Sequence, residues 1–434
     1  MFLIQLTKNI HLDIIENIKE RGNIMESKTF KNIFWNTLGT IINSFSSLIY
    51  LVVVTRINGI DCSGIFSFCF SFSLVLFTVS NLGGRVFEVS DKEQFDDNYY
   101  YTLKLYTCFI TTIIAVVFAF IMKYEPIKFF LIIIFMLVRS IESLSDTIYA
   151  VFQKNDHLNY VGFSYLLKNF VSFMVFTAVD LIFKNIIIAS LSLLLATSVI
   201  YVVFDQNYVR KFKKLKIEYN SKNIISLFKH ILPFLLFNLL TMVIANVPRI
   251  IVDLFYTDSE LGYLGILMMI PTVIILLGQL TIQPFINDLT NNFCNEIYNK
   301  ISTSLLRIVA LITVFSLTCS LGAYLLGPWA LQILYGLNFK NYRTAIAVLV
   351  ITGMFNCYSM VLSTVLTIVR KTKIQLWVYS FIFIFESVIM YALLPFLSFS
   401  AVFWIYLLVM IVQFIIFLVC YYIFFVRRYI NAEG

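Results

Sequence analysis

Runs of apolar residues, each close to the length of a bilayer crossing, alternate with short clusters of charge along nearly the whole chain. About 20 consecutive apolar residues carry a helix across the hydrocarbon core, where lipid offers no partner for an unpaired backbone group. Bounded by charge, the runs predict spans near 31–54, 65–87, 102–122, 127–149, 161–183, 186–204, 225–248, 261–283, 303–326, 343–367, 374–394 and 401–425. The fifth and sixth are separated only by Phe183, Lys184 and Asn185, and Pro248 interrupts the seventh.

The longest basic run, Arg210 to Lys216, falls between the sixth and seventh spans. It divides an all-α polytopic chain into a first lobe, 30–205, and a second, 225–426, with a basic linker at 206–224. A 1–29 segment precedes the first span and a 427–434 tail follows the last. An internal echo supports duplication. Arg56-Ile-Asn-Gly-Ile-Asp-Cys-Ser-Gly64 follows the first span, and Arg249 leads through Asp253 and a polar turn to Gly262 after the seventh. Two halves related by an axis along the membrane normal are a common transporter plan. In residues 1–24, Leu3, Leu6, Ile10, Ile14 and Ile18 fall at helical spacing among charges, as in a weakly amphipathic helix. Met25, which leads directly into the first span, is the alternative start.

Lys and Arg concentrate in cytoplasmic loops. With the N-terminus inside, 23 of the basic residues fall on the cytoplasmic side and 7 outside, leaving Arg139 and Lys168 within the membrane. Both termini and the linker are therefore expected in the cytoplasm. Composition agrees: 60% of residues are hydrophobic, 13% charged, and mean hydropathy is +0.88. A soluble domain is about a quarter charged, so none of ordinary size is expected here. The net charge of +8 reports topology rather than nucleic-acid binding. Seven cysteines show no CxxC, and His11, His157 and His230 form no metal motif. No Walker loop, nucleophile elbow or cleavable signal is present. No catalytic residue, metal or resident cofactor is expected.

Asn81-Leu-Gly-Gly-Arg85 closing the second span resembles a motif of polysaccharide-export transporters in the multidrug/oligosaccharidyl-lipid/polysaccharide (MOP) superfamily. Arg56-Ile-Asn-Gly59 with Gly64 resembles that family's first outside loop, and Leu326 to Phe339 with Tyr342-Arg-Thr-Ala345 resembles its loop between helices nine and ten. The resemblance implies two six-helix lobes around a central cavity, as in MATE-type transporters. It implies a flippase of the bacterial cytoplasmic membrane that moves undecaprenyl-diphosphate-linked oligosaccharide by alternating access, for O-antigen or capsule. Its partners would be that lipid-linked oligosaccharide, membrane lipids, and a polysaccharide polymerase and chain-length regulator. A proton or sodium gradient would drive it. Asn81 stands where the family motif is usually acidic, so no coupling role is carried onto it.

Charges inside spans are costly unless they pair or face a polar cavity, and arginine's planar fork matches phosphate oxygens. Arg139, Glu142 and Asp146, at i, i+3 and i+7, share one helical face. Lys168 on the next span lies at a depth similar to Glu142. Two readings stay open: a structural Glu142–Lys168 pair, or a diphosphate held by Arg139 and Lys168. Arg85 with Glu88, and Arg249 with Asp253, are each readable as a helix-end or surface pair or as an entry- or exit-side phosphate contact. Asp180 and Lys184 read as another such pair. Glu386, without an opposite charge within one turn, is a candidate for ion or proton coupling beside Glu142 and Asp146, against a hydrogen-bonded neutral acid. Pro233, Pro248, Pro271 and Pro284 crowd spans seven and eight, where proline kinks a helix and could let it bend in transport. A multidrug or cation-coupled exporter of the same fold is the alternative. A membrane polysaccharide polymerase is disfavoured, because every expected outside loop is short.

Overall fold

The computed structural model describes residues 2–91, 95–282 and 285–430, with side chains from Lys31 onward other than 280, 287, 428 and 430. Pro284, Met1 and the side chains of the expected amphipathic segment lie outside the described residues, as do residues 431–434 of the tail.

The first helix, Phe2–Asn81, has a non-helical residue at Gly59 (φ 88°, ψ −179°), where the chain reverses. Asn32 bonds the Asp156 carbonyl and Asn58 bonds Asp180, so residues 31–58 (α1) run parallel to Leu158–Phe183 (α5). Cys69 lies against the Lys128 carbonyl and Ser143 bonds the Ser80 carbonyl, so residues 60–81 (α2) run parallel to Pro126–Lys154 (α4). Since α4 and α5 are consecutive antiparallel helices, α1 and α2 are antiparallel too. Asp97–Ile121 (α3) and Ile186–Ile200 (α6) complete the first lobe. The second contains Ser221–Phe255 (α7), residues 258–282 (α8), Tyr298–Tyr335 (α9), Arg343–Ile368 (α10), Thr372–Leu393 (α11) and Ala401–Tyr421 (α12).

Ten described stretches are long and apolar enough to cross a membrane. One of them, the 60-residue Lys31–Ser90, crosses twice by its reversal. α4, at 29 residues, is long enough but carries too many charges to be counted among the ten, which brings the crossings to twelve. The helices are inside-out relative to a soluble bundle. Phe109, Phe120, Leu306 and Trp377 point outward, while Thr107, Ser143, Ser164 and Ser359 are buried between helices. Lipid supplies no penalty for the first set, and small hydroxyls let helices approach closely.

The lobes meet at the face opposite the 206–224 connector. There α2 packs on α8: a Cβ at Gly64 would collide with the Asp258 carbonyl, and one at Gly262 with the Ile60 carbonyl. The two glycines of the internal echo thus face one another, each allowing the other lobe's backbone to approach. Lys128 reaches across to Asp253 (2.6 Å) and Asp258 (3.0 Å), and the Tyr124 hydroxyl also donates to Asp253. Arg56 reaches the carbonyls of Ile333 and Leu334. At the connector face, contact follows one edge, where Leu82, Tyr100 and Leu103 pack on Leu227, Ile231 and Leu235. Elsewhere a cleft of about 510 Å3 separates Thr40, Ile41, Ser44 and Phe45 of α1 from Val273, Leu277 and Ile282 of α8.

Two expectations change. α9 continues through Pro328 to Tyr335, so the outside loop before α10 shrinks to 336–342; the helix ends at Gly336, which is left-handed (φ 74°). The basic linker is also more than a charged connection, being held against the start of α3. Lys213 bonds Asp96 and Asp97 at the start of α3, the Lys216 N–H donates to Asn98 Oδ1, and the Glu218 N–H donates to Thr102.

Candidate functional site

α4 is predominantly buried at the centre of the first lobe, and its polar face opens on a cavity of about 240 Å3. Arg139, Glu142 and Asp146 all line it, as their spacing required, and Lys168 joins them from α5. Asn43 and Ser46 of α1, Asn81 of α2 and the rings of Tyr50, Phe70, Phe77, Tyr149 and Tyr165 enclose the rest. Two cations and two carboxylates therefore share one hollow, which is charge-balanced rather than basic.

The pairing differs from the sequence expectation. Glu142 takes Arg139 of its own helix, not Lys168. Lys168 bonds Asp205 (2.5 Å), Ser145 (2.6 Å) and Tyr149 (3.0 Å). Those three bonds use all three donors of its ammonium, which leaves none for a phosphate. Asp205 sits in the π turn Tyr201–Gln206 that ends α6 and accepts also from Ser164. It was missed because it reads in sequence as the first charge beyond an apolar run. Matching its depth to Lys168 would have found it.

Arg139 is less committed. Only one of its guanidinium nitrogens has a hydrogen-bond partner among the described residues, Glu142, whose side chain is 31% exposed. The guanidinium lies 4.3 Å from the Phe70 ring centroid. Such stacking fixes the plane of the group while leaving in-plane donors for a ligand.

The Asn81–Arg85 motif makes the floor. Leu82, Gly83 and Gly84 all have positive φ (50°, 81° and 70°), a turn that glycine adopts without strain. It presents the Arg85 N–H to Asp146, and a Cβ at Gly84 would crowd that carboxylate. The Arg85 side chain bonds Asn36 on α1. Glu88 does not pair with it; Glu88 pairs with Lys104 of α3, which also lies 3.6 Å from Asp146, and all three are largely shut from solvent. Lys104, one of the 23 basic residues that the sequence assigns to the cytoplasmic side, is fully buried.

The remaining candidates are dispersed. Arg249 is buried in the second lobe and bonds Asn246, while Asp253 belongs to the interlobe contact with Lys128, so no Arg249–Asp253 surface pair exists. Asp180 accepts from Asn58 rather than pairing with Lys184. Glu386 is fully buried and neither carboxyl oxygen has a hydrogen-bond partner among the described residues. Pro233 and Pro248 lie inside α7 and Pro271 inside α8. No group of three or more metal-ligating side chains occurs among the described residues.

Comparison with known proteins places this geometry. No family model matches the chain. It is 22% identical over 351 residues to the capsular polysaccharide biosynthesis protein CapF of Staphylococcus aureus, covering 80% of this chain and 87% of that one. An inward-facing multidrug-resistance MATE family transporter of the MOP superfamily superposes with a TM-score of 0.67 at 12% identity, covering 90% of this chain and 96% of that one. An outward-facing MATE structure gives 0.55 at 13%, with 90% and 94% covered. A MOP superfamily transporter from Pyrococcus furiosus, described as having a binding pocket of reverse polarity, also gives 0.55 at 13%, with 90% and 94% covered. The chain has the fold of the MATE-type transporters, as the sequence resemblance implied.

Proposed function

We propose that this transporter-fold protein moves polyprenyl-diphosphate-linked oligosaccharide from the inner to the outer leaflet of a bacterial cytoplasmic membrane, for capsule or O-antigen assembly. A doubly charged headgroup with polar sugars needs a sheltered polar route through hydrocarbon. The observation that carries the reading is Arg139, stacked on Phe70 with unengaged donors in the polar cavity of the first lobe. The name of the S. aureus relative supports the class of substrate. In this reading the connector face is cytoplasmic, in keeping with its lysines, and the Gly64–Gly262 contact seals the outer side. Diphosphate displaces Glu142 from Arg139, so ligand and carboxylate exchange one cation. Lys168 positions Tyr149 and Ser145 and makes no phosphate contact.

A second reading has a specific observation in its favour: Glu142 and Asp146 would suit export of an organic cation. The two are separated by Arg139→Ala and Glu142→Gln in cells dependent on this protein for surface polymer. Glycan export predicts loss of polymer with Arg139→Ala and retention with Glu142→Gln, both proteins being inserted at wild-type level. Wild-type polymer with Arg139→Ala would refute the diphosphate role.

A further inference from the structure

A second cavity, of about 420 Å3, lies wholly within the second lobe between α7, α8, α10, α11 and α12. It lies within the roughly 300–1,000 Å3 of small-molecule sites. It shares Gln279, Met360 and Thr364 with the lining of the interlobe cleft, so the two adjoin. Its chemistry is the reverse of the first lobe's: among the described residues, no charged side chain lines it.

What lines it instead is neutral and rich in acceptors. Thr241 and Thr364 donate their hydroxyl protons to carbonyls of their own helices, Asn238 and Met360, and keep oxygen lone pairs for a ligand. Asn356 donates its amide to the Met410 sulfur at 3.5 Å, a weak acceptor. Gln413 is 3% exposed, and its amide oxygen has no hydrogen-bond partner among the described residues. A buried amide oxygen left unpaired costs about 1–3 kcal/mol, so it signals a missing donor. Phe237 and Tyr379 add an edge-to-face ring pair at 5.4 Å. Hydroxyl and amide groups around an apolar aromatic wall, without charge, match a polyol that has both hydroxyls and C–H faces.

We propose that this cavity binds the neutral glycan of the substrate, Gln413 and Asn356 accepting from its hydroxyls, while the charged cavity of the first lobe takes the diphosphate. Substrate then bridges the lobes, each reading a different part. This assignment rests on the glycan-transport reading above.

The test uses lipid-linked glycan that accumulates in cells deleted for this protein, and the phosphate-free glycan released from it by mild acid. Binding of each to the purified full-length protein is measured by native mass spectrometry. Gln413→Leu and Asn356→Leu should each weaken free-glycan binding about five- to tenfold, the loss of one neutral hydrogen bond left uncompensated. Arg139→Ala should leave free-glycan binding unchanged and weaken only the diphosphate-bearing form. In a cysteine-free background, free glycan should slow maleimide labelling of Gln279→Cys at least fivefold, a readout that needs no destabilising change at the pocket's heart. Free glycan that fails to bind, or binds unchanged by both leucine variants without protecting position 279, overturns this proposal and leaves the transport reading standing. Absence of any accumulated lipid-linked glycan overturns both.

Discussion

Removing Lys128 should open the seal between the lobes. Lys128 spans them, with Nζ 2.6 Å from Asp253 and 3.0 Å from Asp258; the Asp253 side chain is 1% exposed and that of Lys128 11%. Breaking a buried pair by deleting one member costs about 3–5 kcal/mol, because the other charge stays behind unpaired. Here Asp253 keeps the Tyr124 hydroxyl, and Asp258, 40% exposed, recovers water, so about 2–3 kcal/mol is the better figure. The contact exists only while the lobes are closed at this face, so Lys128→Ala penalises one state of the cycle by about 30- to 150-fold in population. Spin labels at Lys123→Cys and Ser398→Cys, one on each lobe, report the separation by pulsed electron resonance in a cysteine-free background. One short distance is expected without the Lys128 change, and a second, longer population with it. Identical distributions would refute the view that this ion pair holds the seal.

Three further outcomes follow from the same geometry. Lys168→Met strands Asp205 and should lower thermal stability by about 3–5 kcal/mol, while Lys168→Met with Asp205→Asn recovers most of it; recovery of stability without transport would return Lys168 to the substrate site. Glu386→Gln should preserve transport and its pH profile, since the carboxyl is fully buried and hydrogen-bonds to no described residue; a lost pH dependence would place it in coupling. Desolvation works against ionised Asp96, but the Asn98 N–H and the Lys213 ammonium outweigh it and hold its carboxyl below the ordinary value. A depressed carboxyl stabilises the fold above its unfolded pKa and loses that contribution as pH falls through the folded one. Protease cutting in the 210–220 connector should therefore accelerate on acidification below the ordinary aspartate range, and Asp96→Asn should remove that step; a pH-independent rate would contradict the latch.

Much of this was legible before any coordinates, for reasons that differ by element. Span existence follows from hydrocarbon's demand for long apolar helices, so the twelve crossings could be read from charge-bounded runs. Arg139, Glu142 and Asp146 could be placed on one face because a single helix fixes their spacing. Lys168 could be put near them but not paired, since its partner Asp205 comes from α6 and depends on how three helices pack. Pairings inferred from proximity in sequence, such as Arg249 with Asp253, failed for the same reason: Asp253 faces the other lobe. The Gly64–Gly262 contact shows the opposite case. A weak sequence echo, placed at equivalent points of two lobes, became the surface on which they close.

Transport itself is tested most directly in proteoliposomes carrying polyprenyl-diphosphate-linked glycan in both leaflets, with a glycosidase added outside. The account predicts that wild-type protein exposes the protected inner pool to digestion, and that Arg139→Ala protein, equally folded, leaves it protected as empty vesicles do. Digestion that stops at the outer pool with wild-type protein, across imposed proton and sodium gradients of either sign, would contradict glycan translocation.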